Sequence, residues 1–304
     1  MLYYGCHNTI KYGIKNAIKM IEEISLFATV QIFLKSPMRV TYDNPNKAKF
    51  VEENVPVYLD KQNPPYLVVH GQYIINFIKI NNFAVKSVVD DLEILNELVN
   101  ENYLLNFKRG TGVIIHMGKN TEKLSDAQCI KNFGENVMDV FKKLDNKRIK
   151  LKNGVKLILE TSTRTSNGND IFYDIKKLGE LNDYLRELLP NKYYKHIGYC
   201  IDTCHVYASN YDISSKKGVN DFIELWKEYI GLDKITLIHL NDSKKGVGCC
   251  RDLHEELGMG EIYKYKKDGL KEILLFAKNK NIPLVSETAG DFVKELELVK
   301  DLLN

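Results

Sequence analysis

Short apolar runs alternate with longer stretches of helical period along the whole chain. The first run, LYYG, ends near Gly5 and precedes an amphipathic stretch over about Ile14 to Ile24. The second, ATVQIFL, leads into the loop KSPMR and a short helix near Pro45 to Asn54, with Asn44 as its cap and Pro45 at its first position. YLVVH is the third run, and KSVVDDLEILNELVNENYLL after it predicts a long helix. GVIIHM precedes a helix over about Ser125 to Leu144, and VKLILE one over about Ile171 to Leu188. HIGYCID and ITLIHL are followed late by helices near Gly218 to Tyr229 and Asp268 to Lys278. IPLVSE, the eighth run, is closed by FVKELELVKDLL.

Continuous apolar runs are what strands become when helices cover the outer face of a parallel sheet. Eight such units in 304 residues predict a closed (β/α)8 barrel, the TIM-barrel architecture, as a single catalytic domain spanning residues 1–304. The rival is an open doubly wound sheet, which gathers its site at one switch point. The polar residues favour the ring. His70, His116, Glu160, Asp202, His239 and Glu287 each stand at the downstream end of an apolar run, on runs three to eight.

An unpaired carboxylate at the end of a buried strand is costly. Glu160, Asp202 and Glu287 repeat that placement three times, and acids at equivalent barrel positions repel unless cations lie between them. A salt-bridge network is the alternative, but no basic residues occupy matching strand ends. His205 lies three residues past Asp202. Asp252 and His254 form a D-x-H pair in the glycine-containing loop GVGCCRDLHEELGMG, where an extended backbone points both to one side. His205, Asp252 and His254 together make a plausible further site of nitrogen and oxygen donors. Such mixed sets suit zinc, with manganese or iron compatible at some sites. His7 follows the first run on the same face and is expected behind the ligands or against substrate; His196, at the opposite end, is expected to serve folding.

Composition narrows the rest. With 43 basic against 40 acidic residues, the net charge of +3 does not by itself identify a nucleic-acid binder. Lys35, Arg39, Lys244, Lys245 and Arg251 nevertheless fall in loops above the barrel, where they could meet phosphates. Tyr73 falls there too. Six cysteines without a CxxC argue against a disulfide framework and a cysteine-only zinc site, and imply a reducing intracellular compartment. No signal peptide or membrane span is expected. No P-loop, GxGxxG or GxSxG motif is present, so nucleotide hydrolysis and serine acyl transfer recede. The richness in Asn, Lys, Ile and Tyr is compatible with an AT-rich genome, a large DNA virus among others, and does not distinguish nucleus, cytoplasm or viral particle.

CIDTCHVYASNYD, IHLNDSK, VVHGQYIIN and LILETS strongly resemble the endonuclease IV family of apurinic/apyrimidinic endonucleases, and the resemblance runs essentially end to end. It implies a TIM barrel with three zinc ions. Carried over by motif, the first takes His70, His116 and Glu160; the second takes Glu160, Asp202, His239 and Glu287; the third takes His205, Asp252 and His254. Glu160 bridges, and Glu287 also orients or deprotonates the nucleophile, so these two are the catalytic carboxylates. The implied reaction is hydrolysis of the DNA phosphodiester 5′ to an abasic site, leaving a 3′-hydroxyl, in base excision repair, with clearing of blocked 3′ ends. Implied partners are double-stranded DNA with abasic or 3′-blocked sites, met by a monomer. Tyr73 matches a residue inserted at the damaged site, supported by Ile74. Asn241 and Asp242 are expected to hold His239 and substrate contacts.

Two segments depart from the family pattern. KSPMR differs from the basic DNA-contacting loop, so Arg39 is expected to supply that contact in a shifted register, with Met38 as an apolar insert. In CCRDLHEELGMG, Glu255 follows the ligand where another histidine or polar residue is usual. Two other classes stay open from the residues alone: a barrel isomerase or epimerase acting on a small sugar with one or two metals, and a non-catalytic DNA-binding barrel, which predicts broken ligand sets.

Overall fold

The computed structural model describes residues 1–25, 27–38, 64–99 and 111–304. The eight apolar runs are parallel strands: β1 (Tyr4–His7), β2 (Thr29–Ile32), β3 (Tyr66–His70), β4 (Gly112–His116), β5 (Lys156–Glu160), β6 (Ile197–Asp202), β7 (Ile235–His239) and β8 (Leu284–Ser286). Each pairs with the next, and β8 returns to β1 with Leu284 beside Tyr4 and Ser286 beside Cys6, which closes the barrel. The helices are α1 (Ile14–Glu22), α2 (Asn82–Leu98), α3 (Asp126–Asn146), α4 (Ile175–Leu188), α5 (Asn191–Tyr194), α6 (Thr203–Ala208), α7 (Lys216–Tyr229), α8 (Asp268–Lys280) and α9 (Phe292–Leu303). Among the described residues, no helix is long and apolar enough to cross a membrane.

Helix starts follow their caps more closely than their apolar periodicity. Asn81 accepts from the backbone N–H of Phe83 and Ala84, so α2 begins at Asn82, four residues before the expected Lys86. Asp174 accepts from Lys176 N, so α4 starts at Ile175 and not near Ile171. Helix α6 adds to the expected elements. It follows β6 without a loop because Asp202 caps it, its Oδ1 accepting from His205 N at 2.9 Å. The helix expected near Pro45 to Asn54 lies outside the described residues.

The core has two parts. Between strands and helices lies a large apolar layer that runs around the barrel. Inside the barrel is a second, separate cluster: Val68, Ile114, Ile158, Cys200, Leu237 and Val285, one from each of β3 to β8, all fully buried. This ring sets the position of everything polar above it. Side chains two apart on a strand share a face. Two residues beyond each ring member stand His70, His116, Glu160, Asp202, His239 and Glu287 in turn. On β1, Gly5 is required by space, because a Cβ there would lie 1.5 Å from the Thr29 carbonyl oxygen.

Candidate metal centre

The six strand-end residues therefore form a polar ring on an apolar floor, at the C-terminal mouth where barrel sites are built. Glu160 is its hub. Its Oε2 lies 3.1 Å from His116 Nε2 and 3.5 Å from His70 Nε2, while its Oε1 lies 2.9 Å from His239 Nδ1. His239 Nδ1 also stands 3.0 Å from Glu287 Oε2 and 3.8 Å from Asp202 Oδ2. A third group gathers above. His205 on α6 and His254 on a short antiparallel ribbon (Asp242–Ser243 with His254–Glu255) approach opposite oxygens of Asp252, at 3.1 and 3.0 Å.

Donor atoms within 4.8 Å of one another fall into the sets His70, His116, Glu160; Glu160, Asp202, His239, Glu287; and His205, Asp252, His254. All nine candidates are thus brought together. A fourth grouping, Asp202, Cys204 and His254, overlaps two of them. Glu160 Oε2 and His254 Nε2 are buried and make no well-aligned hydrogen bond among the described residues, although His116 Nε2 and Asp252 Oδ1 lie 3.1 and 3.0 Å away. Buried polar atoms are normally satisfied, and these two point among donors that a cation would complete. The mixed nitrogen and oxygen set fits zinc.

Burial opposes charge on these groups, yet their neighbours outweigh it. His239, despite full burial, is held well above the ordinary histidine pKa by the Cys200 sulfur, Glu287 and Glu160. His205, equally buried, is raised by Asp202 and Asp252, and His254 is pushed against its burial up to about 9 by the same two acids. Glu160 lies well below the carboxylate range, its burial overcome by His116 and His239. Glu287 and Asp252 are lowered as well, against burial, by His239 and His205 respectively. Asp202 moves upward because burial dominates there. Imidazolium protons thus balance the carboxylates, and cations binding such a set displace those protons.

A cleft of about 560 Å³ opens beside the donors, with Tyr73, Ile74, His116, His205, Arg251 and Asp252 among its lining. Tyr73 stands at the rim, 46% exposed and edge-on to His70 at 5.3 Å between ring centroids. Arg251, Lys244 and Lys245 are exposed on one loop. Lys35 corrects the sequence reading. Its ammonium is turned inward, 3.0 Å from Asp91 and bonded to the carbonyl and hydroxyl of Ser87, so it anchors the loop and is not free for phosphate. Arg39 lies outside the described residues. Met38 is exposed.

The HLND residues support the site, but not through the His239 ring. Asn241 does not bond the His239 ring; its Nδ2 donates to Asp202 Oδ2 (2.7 Å) and Glu287 Oε2 (3.2 Å), and its Oδ1 accepts from Glu287 N. Asp242 collects the backbone N–H groups of Ser243, Gly258, Gly260 and Ile262, fixing the loop beyond His254. Neither contact was legible, because both partners are distant in sequence or are backbone.

Two further residues escaped the sequence reading. Gln31 on β2 takes the ring position that β3 to β8 give to ligands. Its Nε2 donates to Glu287 Oε1 at 2.6 Å, its Oε1 faces His239 Nε2 at 2.8 Å, and His7 Nδ1 lies 3.3 Å away. A glutamine inside the otherwise mostly apolar ATVQIFL was the available signal. Glu295 on α9 is buried and accepts from Tyr4 Oη, Leu257 N and Thr288 Oγ1 at 3.1, 3.0 and 2.7 Å. It ties the segment after His254 and the residue after Glu287 to β1.

Residues 27–291 match the Xylose isomerase-like TIM barrel family. A putative endonuclease 4 of Acanthamoeba polyphaga mimivirus is 37% identical over 239 residues, covering 75% of this chain and 67% of that protein. A probable endonuclease 4 of Methanosphaera stadtmanae is 30% identical over 313 residues, 99% of each chain. Endonuclease IV from Thermus thermophilus, in its crystal structure, has a TM-score of 0.71 at 22% identity and covers 99% of this chain and 98% of its own. At that identity the structural likeness speaks for the fold alone. It is the match over most of the chain, with the near relatives, that settles kinship: the chain belongs to the endonuclease IV family of xylose isomerase-like TIM barrels.

Proposed function

We propose that this chain is a zinc-dependent apurinic/apyrimidinic endonuclease. It hydrolyses the DNA phosphodiester 5′ to an abasic site, leaves a 3′-hydroxyl, and clears blocked 3′ ends. Metal-assisted hydrolysis of apurinic/apyrimidinic-endonuclease type follows from family membership together with the clustered donors. A fold alone would not select it, since barrels host many chemistries.

One observation carries the reading. The two oxygens of Glu160 face different ligand sets, Oε2 towards His70 and His116 and Oε1 towards His239, which is the geometry of a bridge between adjacent ions. His70, His116 and Glu160 would hold the first; Glu160, Asp202, His239 and Glu287 the second; His205, Asp252 and His254 the third. Zinc there supplies Lewis acidity to the attacking water and countercharge to the phosphate. Glu287, with one oxygen bonded to Gln31 and the other facing Asn241 and His239, orients or deprotonates that water. Tyr73 is the wedge at the cleft rim, backed by Ile74, and Arg251, Lys244 and Lys245 grip phosphates. A nucleotide without its base has lost stacking energy, so extruding it is cheap and the cleft can select it. The partner is double-stranded DNA with abasic or 3′-blocked sites, met by a monomeric single domain.

The test pairs metal counting with incision of a duplex bearing one abasic analogue. About three zinc ions per chain and a single cut 5′ to the lesion are expected. Full metal loading without incision, but with turnover of a ketose or aldose, would overturn the reading.

A further inference from the structure

The fourth donor grouping adds one atom that the assignment above leaves unused, the sulfur of Cys204. Cys204 sits on the first turn of α6, two residues after Asp202, and is fully buried. Its sulfur, a carboxylate oxygen of Asp202 and a ring nitrogen of His254 all lie within 4.8 Å of one another. Around a tetrahedral ion with bonds near 2.0–2.3 Å, such donors stand about 3.5 Å apart, so separations of at most 4.8 Å close with shifts of about 1.3 Å or less. The ring nitrogen adds to this: His254 Nε2 makes no well-aligned hydrogen bond among the described residues and lies 3.0 Å from Asp252 Oδ1 and 3.6 Å from Asp202 Oδ2, between the two acids.

We propose that Asp202, Cys204 and His254 form an alternative, competing site for a thiophilic divalent cation, cadmium being the probe, at the seam between the second and third ligand sets. The inference rests on Asp202 and His254 being metal ligands. Zinc accepts sulfur as well as nitrogen and oxygen, but a softer ion gains most from the sulfur. As the sulfur–cadmium bond forms, the thiol proton leaves to solvent. The ion then takes one ligand from each of two neighbouring sets. Soft cations should accordingly strip hydrolytic function at occupancies where harder ions sustain it, through an atom that the hydrolytic reading leaves idle.

Cadmium titrated into metal-depleted full-length protein is expected to give a sulfur-to-cadmium charge-transfer band. Cys204→Ser should lose it, and the double variant Cys249→Ser/Cys250→Ser, on the neighbouring loop, should keep it. Because a buried substitution can disturb folding, the wild-type protein is also read by NMR, where a correlation between bound cadmium and the Cys204 Hβ protons is expected. Absence of any sulfur-ligated cadmium, persistence of the band in Cys204→Ser, or correlation to another cysteine overturns the site. Zinc stoichiometry of the same samples reports separately on the ligand sets of the proposed function: zinc bound without a cadmium–sulfur signature sinks only this inference.

Discussion

Gln31→Leu should weaken zinc binding while leaving the barrel folded. An ionised carboxylate only accepts hydrogen bonds. Glu287 Oε1 therefore requires the amide nitrogen of Gln31 at 2.6 Å, which turns the amide oxygen to His239 Nε2 at 2.8 Å. That oxygen holds a proton on Nε2 and leaves Nδ1, which faces Glu160 and Glu287, for a metal. Leucine has nearly the volume of glutamine but neither contact. A buried N–H left without an acceptor costs about 1–3 kcal/mol, and about 1.4 kcal/mol corresponds to a factor of ten. Loss of such an orienting partner lowers metal affinity by about 10–100-fold, in agreement. Competition with a chromophoric chelator measures this, with unfolding of the metal-free protein as the control for fold. Zinc affinity within about twofold of wild type, in a variant that folds normally, would show that Gln31 does not set the His239 tautomer, because even the low end of that loss is about tenfold.

Glu160→Gln should cost orders of magnitude in incision rate together with metal content, since an amide cannot bridge two ions; normal content and rate would refute its hub role. Tyr73→Ala should reduce discrimination between damaged and intact duplex more than it reduces maximal rate, and unchanged discrimination would reject the wedge. Glu295→Ala strands Tyr4, Leu257 and Thr288 donors and should cost on the order of 3 kcal/mol in chemical unfolding; an unmoved midpoint would remove it as a tie. His196 is buried with Nδ1 2.7 Å from the Val155 carbonyl, and burial lowers its pKa. The unfolded chain therefore takes up a proton below about pH 6.5 that the fold resists, so this contribution is complete above that pH and is lost as pH falls. Urea midpoints at neutral and acidic pH should fall less for His196→Asn than for wild type, and equal falls would exclude the residue.

Much of the architecture was readable because its physics is local. A strand buried on both faces must be apolar throughout, so YLVVH and GVIIH announce themselves. A helix such as FVKELELVKDLL shows its period and is recovered as α9 over Phe292–Leu303. Helix starts were less legible because one capping side chain outweighs several residues of periodicity, as at Asn81 and Asp174. Lys35 was misread for a related reason. A lysine in a loop looks solvated until Asp91 and Ser87, more than fifty residues away, are folded beneath it.

The chain by itself determined that six strand ends carry donors in a common phase, because strand period two and a continuous apolar floor leave those side chains one face to occupy. It also determined, through its motifs, which relatives to expect. Tertiary structure decided how the donors divide. Closure of the barrel turns residues 208 and 256 positions apart, Gln31 with His239 and with Glu287, into hydrogen-bond partners. It makes Glu160 a hub with two faces, hands Asp242 to the loop after His254, and brings Cys204 beside Asp202 and His254. Such contacts depend on distances across the ring, which no local periodicity encodes.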